Sequence, residues 1–130
     1  LVMKGENAIP GGGSAYASMS FHIRSEAATV SGRSQMAIEA FADALESIPA
    51  TIAENGGQDP LDCILALRHQ IQNGRTDYGP DLENEGICSM LDLNVIEPES
   101  LIRQAILSAT EVTTAIHNTI RALLGSMAAV

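Results

Sequence analysis

Tryptophan is absent and aromatics make up only 3% of the 130 residues, so a core must be built from Ala, Leu, Ile, Val and Met. That palette favours closely packed helices over a β-sandwich, which draws on β-branched and aromatic side chains. Positive charge is scarce too: 7 Lys and Arg stand against 16 acids, for a net charge of −9. With no basic stripe, this balance argues against a nucleic-acid backbone as the main partner. No apolar run approaches the roughly 18 residues of a membrane-spanning helix, and the first ten residues lack the layout of a signal peptide. Cysteine is limited to Cys63 and Cys88, without a Cys-x-x-Cys, which points to two free thiols in a reducing, cytoplasmic setting.

What is present fits one domain over residues 1–130, with 45% apolar and 18% charged residues. The abrupt start on Leu1, with little periodicity before residue 10, is that expected of a cut edge. Pro10-Gly11-Gly12-Gly13-Ser14 then places bare backbone before an apolar periodic segment. Glycine reaches positive φ freely, and the first turn of a helix offers unpaired N–H groups, so such a loop can hold a phosphate or a sugar edge. A flexible hinge is the plainer alternative, because the Walker spacing is missing and no strand-like run precedes the glycines.

Helical spacing continues along the chain. Ser14 is placed to cap a helix over about 14–29, with Ala15, Met19, Ile23, Ala27 and Val30 on one face. Gln35 opens a second helix with Ala37, Phe41, Ala44, Leu45, Ile48 and Ile52 inward and Glu39, Asp43 and Glu46 largely outward. Pro49 should bend or restart it, and Gly56-Gly57 ends it. Asp59-Pro60 is a cap followed by a proline at the first helical position, opening a third helix with a stripe of Leu61, Ile64, Leu65, Arg68 and Ile71 that Asn73-Gly74 closes. Residues 75–86 read as a loop or short hairpin, and Ile87–Leu93 as a short apolar segment. Glu97-Pro98 repeats the acid-then-proline start, before a long helix with Ile102, Ala105, Ile106, Ala109, Val112, Ile116 and Ile120 on one face. Leu123–Val130 reads as a helix tail or a terminal strand. The fold class is therefore all-α, a bundle of helices with small apolar side chains inside.

Catalytic chemistry finds little purchase. His22, His69 and His117 lack a second metal ligand at helical spacing, so no zinc site is expected; His69 is better read as a partner for a nearby acid or carbonyl. No serine sits in a Gly-x-Ser-x-Gly elbow. Asp77, Asp81, Glu83 and Glu85 offer carboxylates to a divalent cation without EF-hand spacing, and a solvated loop is the preferred account. Composition and spacing alone end at an acidic helical domain.

The run from Val30-Ser31-Gly32-Arg33 through Phe41 and Leu45-Glu46 to Ile48-Pro49, Ala53-Glu54-Asn55-Gly56 and Asp59-Pro60 resembles the group II chaperonins, the archaeal thermosomes and their relatives in the eukaryotic cytosol. The resemblance continues at Leu67-Arg68, around Asp81, at Val95-Ile96-Glu97-Pro98, at Gln104-Ala105-Ile106 and at Ser108-Ala109-Thr110-Glu111, and includes the Pro-Gly-Gly-Gly loop. It implies the C-terminal half of an equatorial domain, all-α, that binds ATP and makes ring contacts. By this resemblance Gly12 is a backbone contact to the ribose, Glu97 accepts hydrogen bonds from the ribose hydroxyls, Asp81 lies beside the adenine, and Leu82 is an apolar neighbour of the base. The implied cofactor of the intact subunit is ATP or ADP with magnesium. The implied partners are other ring subunits and unfolded protein clients, with neither nucleic acid nor membrane.

The family's phosphate loop, its Asp-Gly-Thr-Thr segment and its water-activating Asp do not occur in these residues, so no catalytic residue is assigned and this stretch alone is expected to be inactive as an ATPase. It is also expected to self-associate through exposed apolar faces. Ser34, Ala50 and Ile102 stand where the family usually has Glu, Arg and Lys, and a Glu usual near Tyr16 is missing. Ser34 also removes the capping-box partner of Ser31. Thr119-Ile120-Arg121 replaces an Ile-Asp-Asp, which bears on the terminal strand. The alternative function is a non-enzymatic helical module for oligomerisation or partner binding.

Overall fold

The computed structural model describes residues 6–128. Its elements are β1 (Ala8–Pro10), α1 (Ser14–Ala27), α2 (Arg33–Asn55), α3 (Pro60–Gln72), β2 (Tyr78–Pro80), β3 (Ile87–Ser89), β4 (Ile96–Pro98) and α4 (Glu99–Ala128). The all-α expectation holds, with short two-stranded pairings, β1 with β4 and β2 with β3, added to the four helices. The contacts divide into two units, one of Ile9–Ile96 and one that joins the stretch ending at Ala8 to Glu97 and the residues after it.

In the first unit α1, α2 and α3 pack on one another, and the side chains between them are mostly small. Ala17, Ala42 and Ala53 are buried, as is Ser20, whose hydroxyl donates to the Ala42 carbonyl at 2.8 Å and so satisfies itself across the α1–α2 contact. The inward face of α2 is Ala42, Leu45, Pro49 and Ala53; of the expected stripe Leu45 is buried, whereas Phe41 and Ile48 stay exposed. In α3 the buried residues are Cys63, Ile64, Leu67 and Ile71, while Leu61 and Leu65 face out. Leu45, Ile64 and Ile71 of the expected stripes are buried, but small residues fill the rest of the seam, so a stripe chosen by hydrophobicity alone finds the inward face only in part.

Local chemistry sets several boundaries. Asp59 caps α3 as expected, accepting from Leu61 N at 2.8 Å and Asp62 N at 3.0 Å, with Pro60 next. Asn73 is the C-cap, and the Gly74 amide returns to the Ile71 carbonyl at 2.9 Å. Ser14 does not cap α1; the N-cap is Gly13, and Ser14 Oγ donates back into the loop, to Pro10 O at 3.0 Å and Gly11 O at 2.8 Å. Neither Ser31 nor any other side chain caps α2, whose N-cap is Gly32. α2 does not restart at Pro49, which is fully buried within it. The hairpin forms with its second strand beyond residue 86, in the register Tyr78↔Ser89, Gly79↔Cys88 and Pro80↔Ile87.

In the second unit Glu97 and Pro98 belong to β4, so the expected helix start shifts to Glu99. Glu99 N donates to Asn7 O at 2.9 Å, and its carboxylate accepts from Asn7 Nδ2 at 2.9 Å and Arg103 Nη2 at 2.5 Å. α4 runs on to Ala128, so a helix tail forms rather than a strand; residues 129–130 lie outside the described residues. Of its apolar stripe Ile102 is buried, whereas Val112, Ile116 and Ile120 are 59%, 56% and 50% exposed.

Candidate functional site

The glycine loop is built to an unusual closeness. Gly12 and Gly13 have φ of +63° and +82°, a region that L side chains rarely adopt. Gly11 N donates to Val95 O at 2.9 Å, and Ser14 N to Gly11 O at 3.2 Å. On one side a Cβ on Gly13 would lie 3.1 Å from Pro49 Cα, so the loop presses on α2. On the other, a Cβ on Gly12 would collide with Met90 Sδ. The loop is therefore a held turn rather than the flexible hinge of the plainer alternative.

Asp81 leaves strand β2 and is almost fully buried. Its Oδ1 accepts from Glu83 N and Asn84 N, each at 3.0 Å, and its Oδ2 from Asn84 Nδ2 at 3.2 Å. Its amide donates to Gly86 O at 3.0 Å, and its carbonyl accepts from Gln58 Nε2. The Asn84 amide, followed by the Glu83 amide and the Asn84 side chain, holds this carboxyl below the ordinary carboxylate range. Asp81 thus organises the turn from which Leu82 projects, 60% exposed, with its Cδ2 close over Gly56 at the end of α2. Cys63 and Cys88 are free thiols, and both are pushed upward by burial, Cys88 also by the charge of Asp81.

Gly12, Asp81 and Leu82 all belong to the Ile9–Ile96 unit. Glu97 belongs to the other unit, half-buried, and its carboxylate accepts no hydrogen bond among the described residues. The acids of residues 77–85 do not converge: Asp77 accepts from Ser89 Oγ, Asp81 serves its own turn, and no group of three metal-ligating side chains forms among the described residues. His69 meets Asn73 Nδ2 at 3.3 Å rather than an acid, and His22 stands edge-on to Phe21. A cleft of about 420 Å³ opens between the start of α3 and the β2–β3 turn, lined by Gln58, Asp59, Asp62 and Glu85 among others, and none of Gly12, Asp81 and Leu82 lines it.

Two groups escaped the sequence. Gly79 stands against the glycine loop, where a Cβ would lie 2.8 Å from Gly12 O. Glu46, expected outward, bridges Arg24 and Arg68; its side chain is 12% exposed, with Arg68 Nε at 2.7 Å, Arg68 Nη2 at 2.6 Å and Arg24 Nη2 at 2.7 Å.

Comparison with known proteins places these residues in a wider setting. The model of the TCP-1/cpn60 chaperonin family matches residues 1–119. Thermosome subunit alpha of Halobacterium salinarum is 45% identical over 108 residues, 83% of this chain and 19% of that one. Thermosome subunit beta of Thermoplasma acidophilum is 46% identical over 101 residues, 78% of this chain and 19% of its own. Among solved structures, the open-state monomer of a group II chaperonin from Methanococcoides burtonii superposes with a TM-score of 0.79 at 38% identity, over 84% of this chain and 27% of that one. An open-state group III chaperonin has the same TM-score at 27% identity, over 85% of this chain and 22% of its own. The chain thus spans about a fifth of the length of the curated relatives it matches.

Proposed function

This chain belongs to the TCP-1/cpn60 chaperonin family, and we propose that it forms the sugar-and-base side of the ATP site of a group II chaperonin subunit. In the complete subunit that site drives ATP-dependent folding of other proteins within a ring of subunits in the cytoplasm. The stretch is the C-terminal half of the equatorial domain. The observation that carries the proposal is the glycine loop, held from two sides with the Gly12 backbone at positive φ.

The residues present fit a nucleotide unevenly, and the unevenness assigns their roles. Gly12 offers main chain without a side chain, so a sugar can approach it. Glu97 has a carboxylate that no described residue occupies, and an ionised carboxylate is a good acceptor for paired hydroxyls. Asp81 differs, because three N–H groups already fill most of its acceptor capacity. Its role is to fix the turn that presents Leu82 to the base. When bound with magnesium, ATP supplies the phosphoryl chemistry; the residues of this chain bind and orient its nucleoside end.

In the complete subunit, Glu97→Ala should weaken ATP binding about tenfold, the scale of a lost charge-assisted hydrogen bond. Isothermal titration with ATP measures it, and unchanged affinity would sink the nucleotide role of this residue in favour of a scaffold. The exposed apolar stripe of α4 supports a second role in contacts with other parts of the assembly. This 130-residue chain, purified alone, should therefore self-associate; light scattering reads the mass, and a monomer that binds no hydrophobic dye would count against that role.

A further inference from the structure

Gly12, Gly79 and Met90 meet with no room for a methyl group between them. A Cβ on Gly79 would lie 2.8 Å from Gly12 O, 3.0 Å from Met90 Cγ and 3.1 Å from Met90 Sδ, and one on Gly12 would strike the same thioether. Met90 is only 2% exposed. Its main chain is tied twice, N to Asp77 O at 2.8 Å and O from Val95 N at 2.8 Å, and Val95 O in turn holds Gly11 N at 2.9 Å. Hairpin, Met90, Val95 and glycine loop thus form one continuous hydrogen-bonded run. α2 presses the loop from the other side, through Pro49 and Ile52 against Gly13. On the hairpin side the contact with Gly79 falls on a backbone atom, Gly12 O, and the Met90 side chain is enclosed, so that side too sets where the loop stands.

We propose that Gly79 and Met90 are positioning residues for the glycine loop: they fix where the Gly12 main chain stands and thereby set how tightly and how selectively the site takes the ribose of a nucleotide. This rests on the nucleotide role proposed above. Neither residue touches the ligand. Gly79 acts by letting the strand lie against Gly12 O, and Met90 by filling the space beneath Gly12. A methyl group at Gly79 would push first on Gly12 O, a backbone atom that cannot swing aside, so the loop itself must move. A leucine at position 90 keeps the volume of the methionine, whereas an alanine empties it.

The test uses the complete subunit, titrated with ATP and with 2′,3′-dideoxy-ATP, alongside hydrogen exchange of the Gly11 amide. Gly79→Ala should weaken ATP binding about tenfold, shrink the preference for ATP over the dideoxy nucleotide, and speed Gly11 exchange. Met90→Ala should act in the same directions, and decides the matter if Gly79→Ala does not fold. Met90→Leu should keep all three readouts within about twofold of the wild type. Wild-type ATP affinity and sugar preference in both Gly79→Ala and Met90→Ala would overturn the inference. If the wild-type subunit does not distinguish the two nucleotides, the nucleotide role itself falls. Gly11 exchange then judges the positioning alone: faster in the variants upholds it, unchanged overturns it.

Discussion

Leu67→Ala should destabilise the chain by about 3–4 kcal/mol, the range of a leucine truncated in a core that relaxes only in part. Leu67 is 1% exposed and is the largest of the fully buried side chains. It sits in one cluster with Ala17, Ala53, Cys63, Ile64 and Ile71, against which Phe21, Ala50, Tyr78 and Ile87 pack. The buried members of the cluster from α1 and α2 are Ala17 and Ala53, which have no longer side chain to swing into the vacated space, so the cavity closes only in part. The same cluster joins α3 to Tyr78 and Ile87 of the hairpin that supports the glycine loop, so the loss reaches the site. Urea unfolding followed by helical circular dichroism measures the change. A loss below about 1 kcal/mol would mean that the seam collapses around the alanine, and Leu67→Met, which conserves volume, should cost less than about 1.5 kcal/mol.

Features that depend on neighbours in sequence are legible in the sequence itself. Asp59-Pro60 and Asn73-Gly74 bound α3 because cap and turn chemistry act over two or three residues. The same logic misplaced the start of α4: an acid before a proline suits a cap, but backbone that is extended through residue 98 suits it as well, and a strand claims Glu97 and Pro98. The helix faces were harder still. Periodicity favoured Phe41, Ile48, Leu61 and Leu65, yet these face outward while Ala42, Ala53 and Ser20 fill the seam. Close approach of helices rewards small volume, which a count of apolar residues does not register. At the site, Gly12 stood out in sequence because three glycines follow a proline. Gly79 did not, because its reason for being glycine lies in a carbonyl far away along the chain.

Glu46 departs from its expected outward position for a related reason, and its removal should have the second-largest effect. Its carboxylate is shared by Arg24 of α1 and Arg68 of α3, so one side chain of α2 ties three helices together. Burial would raise this carboxyl, but the hydrogen bonds and charge of Arg68, with those of Arg24, hold it below its ordinary value. Arg24 Nε already lies buried without a hydrogen-bond partner among the described residues, so Glu46→Ala would leave Arg24 with the exposed carboxylate of Asp43 alone and would take from Arg68 the carboxylate it meets at 2.6 Å. The expected cost is about 2 kcal/mol, between the small value of an exposed pair and the larger cost of breaking a buried one, because both arginines retain some solvent. The pH dependence follows from the sign of the shift. A carboxyl depressed in the folded state contributes fully above its unfolded value and loses that contribution as pH falls through the folded one. Wild type and Glu46→Gln should therefore differ most near neutral pH and converge in acid, once Glu46 is protonated in both states. Urea midpoints recorded from neutral to acid pH test this, and a difference that stays constant down to full protonation would show that the charge of Glu46 does not hold the three helices together.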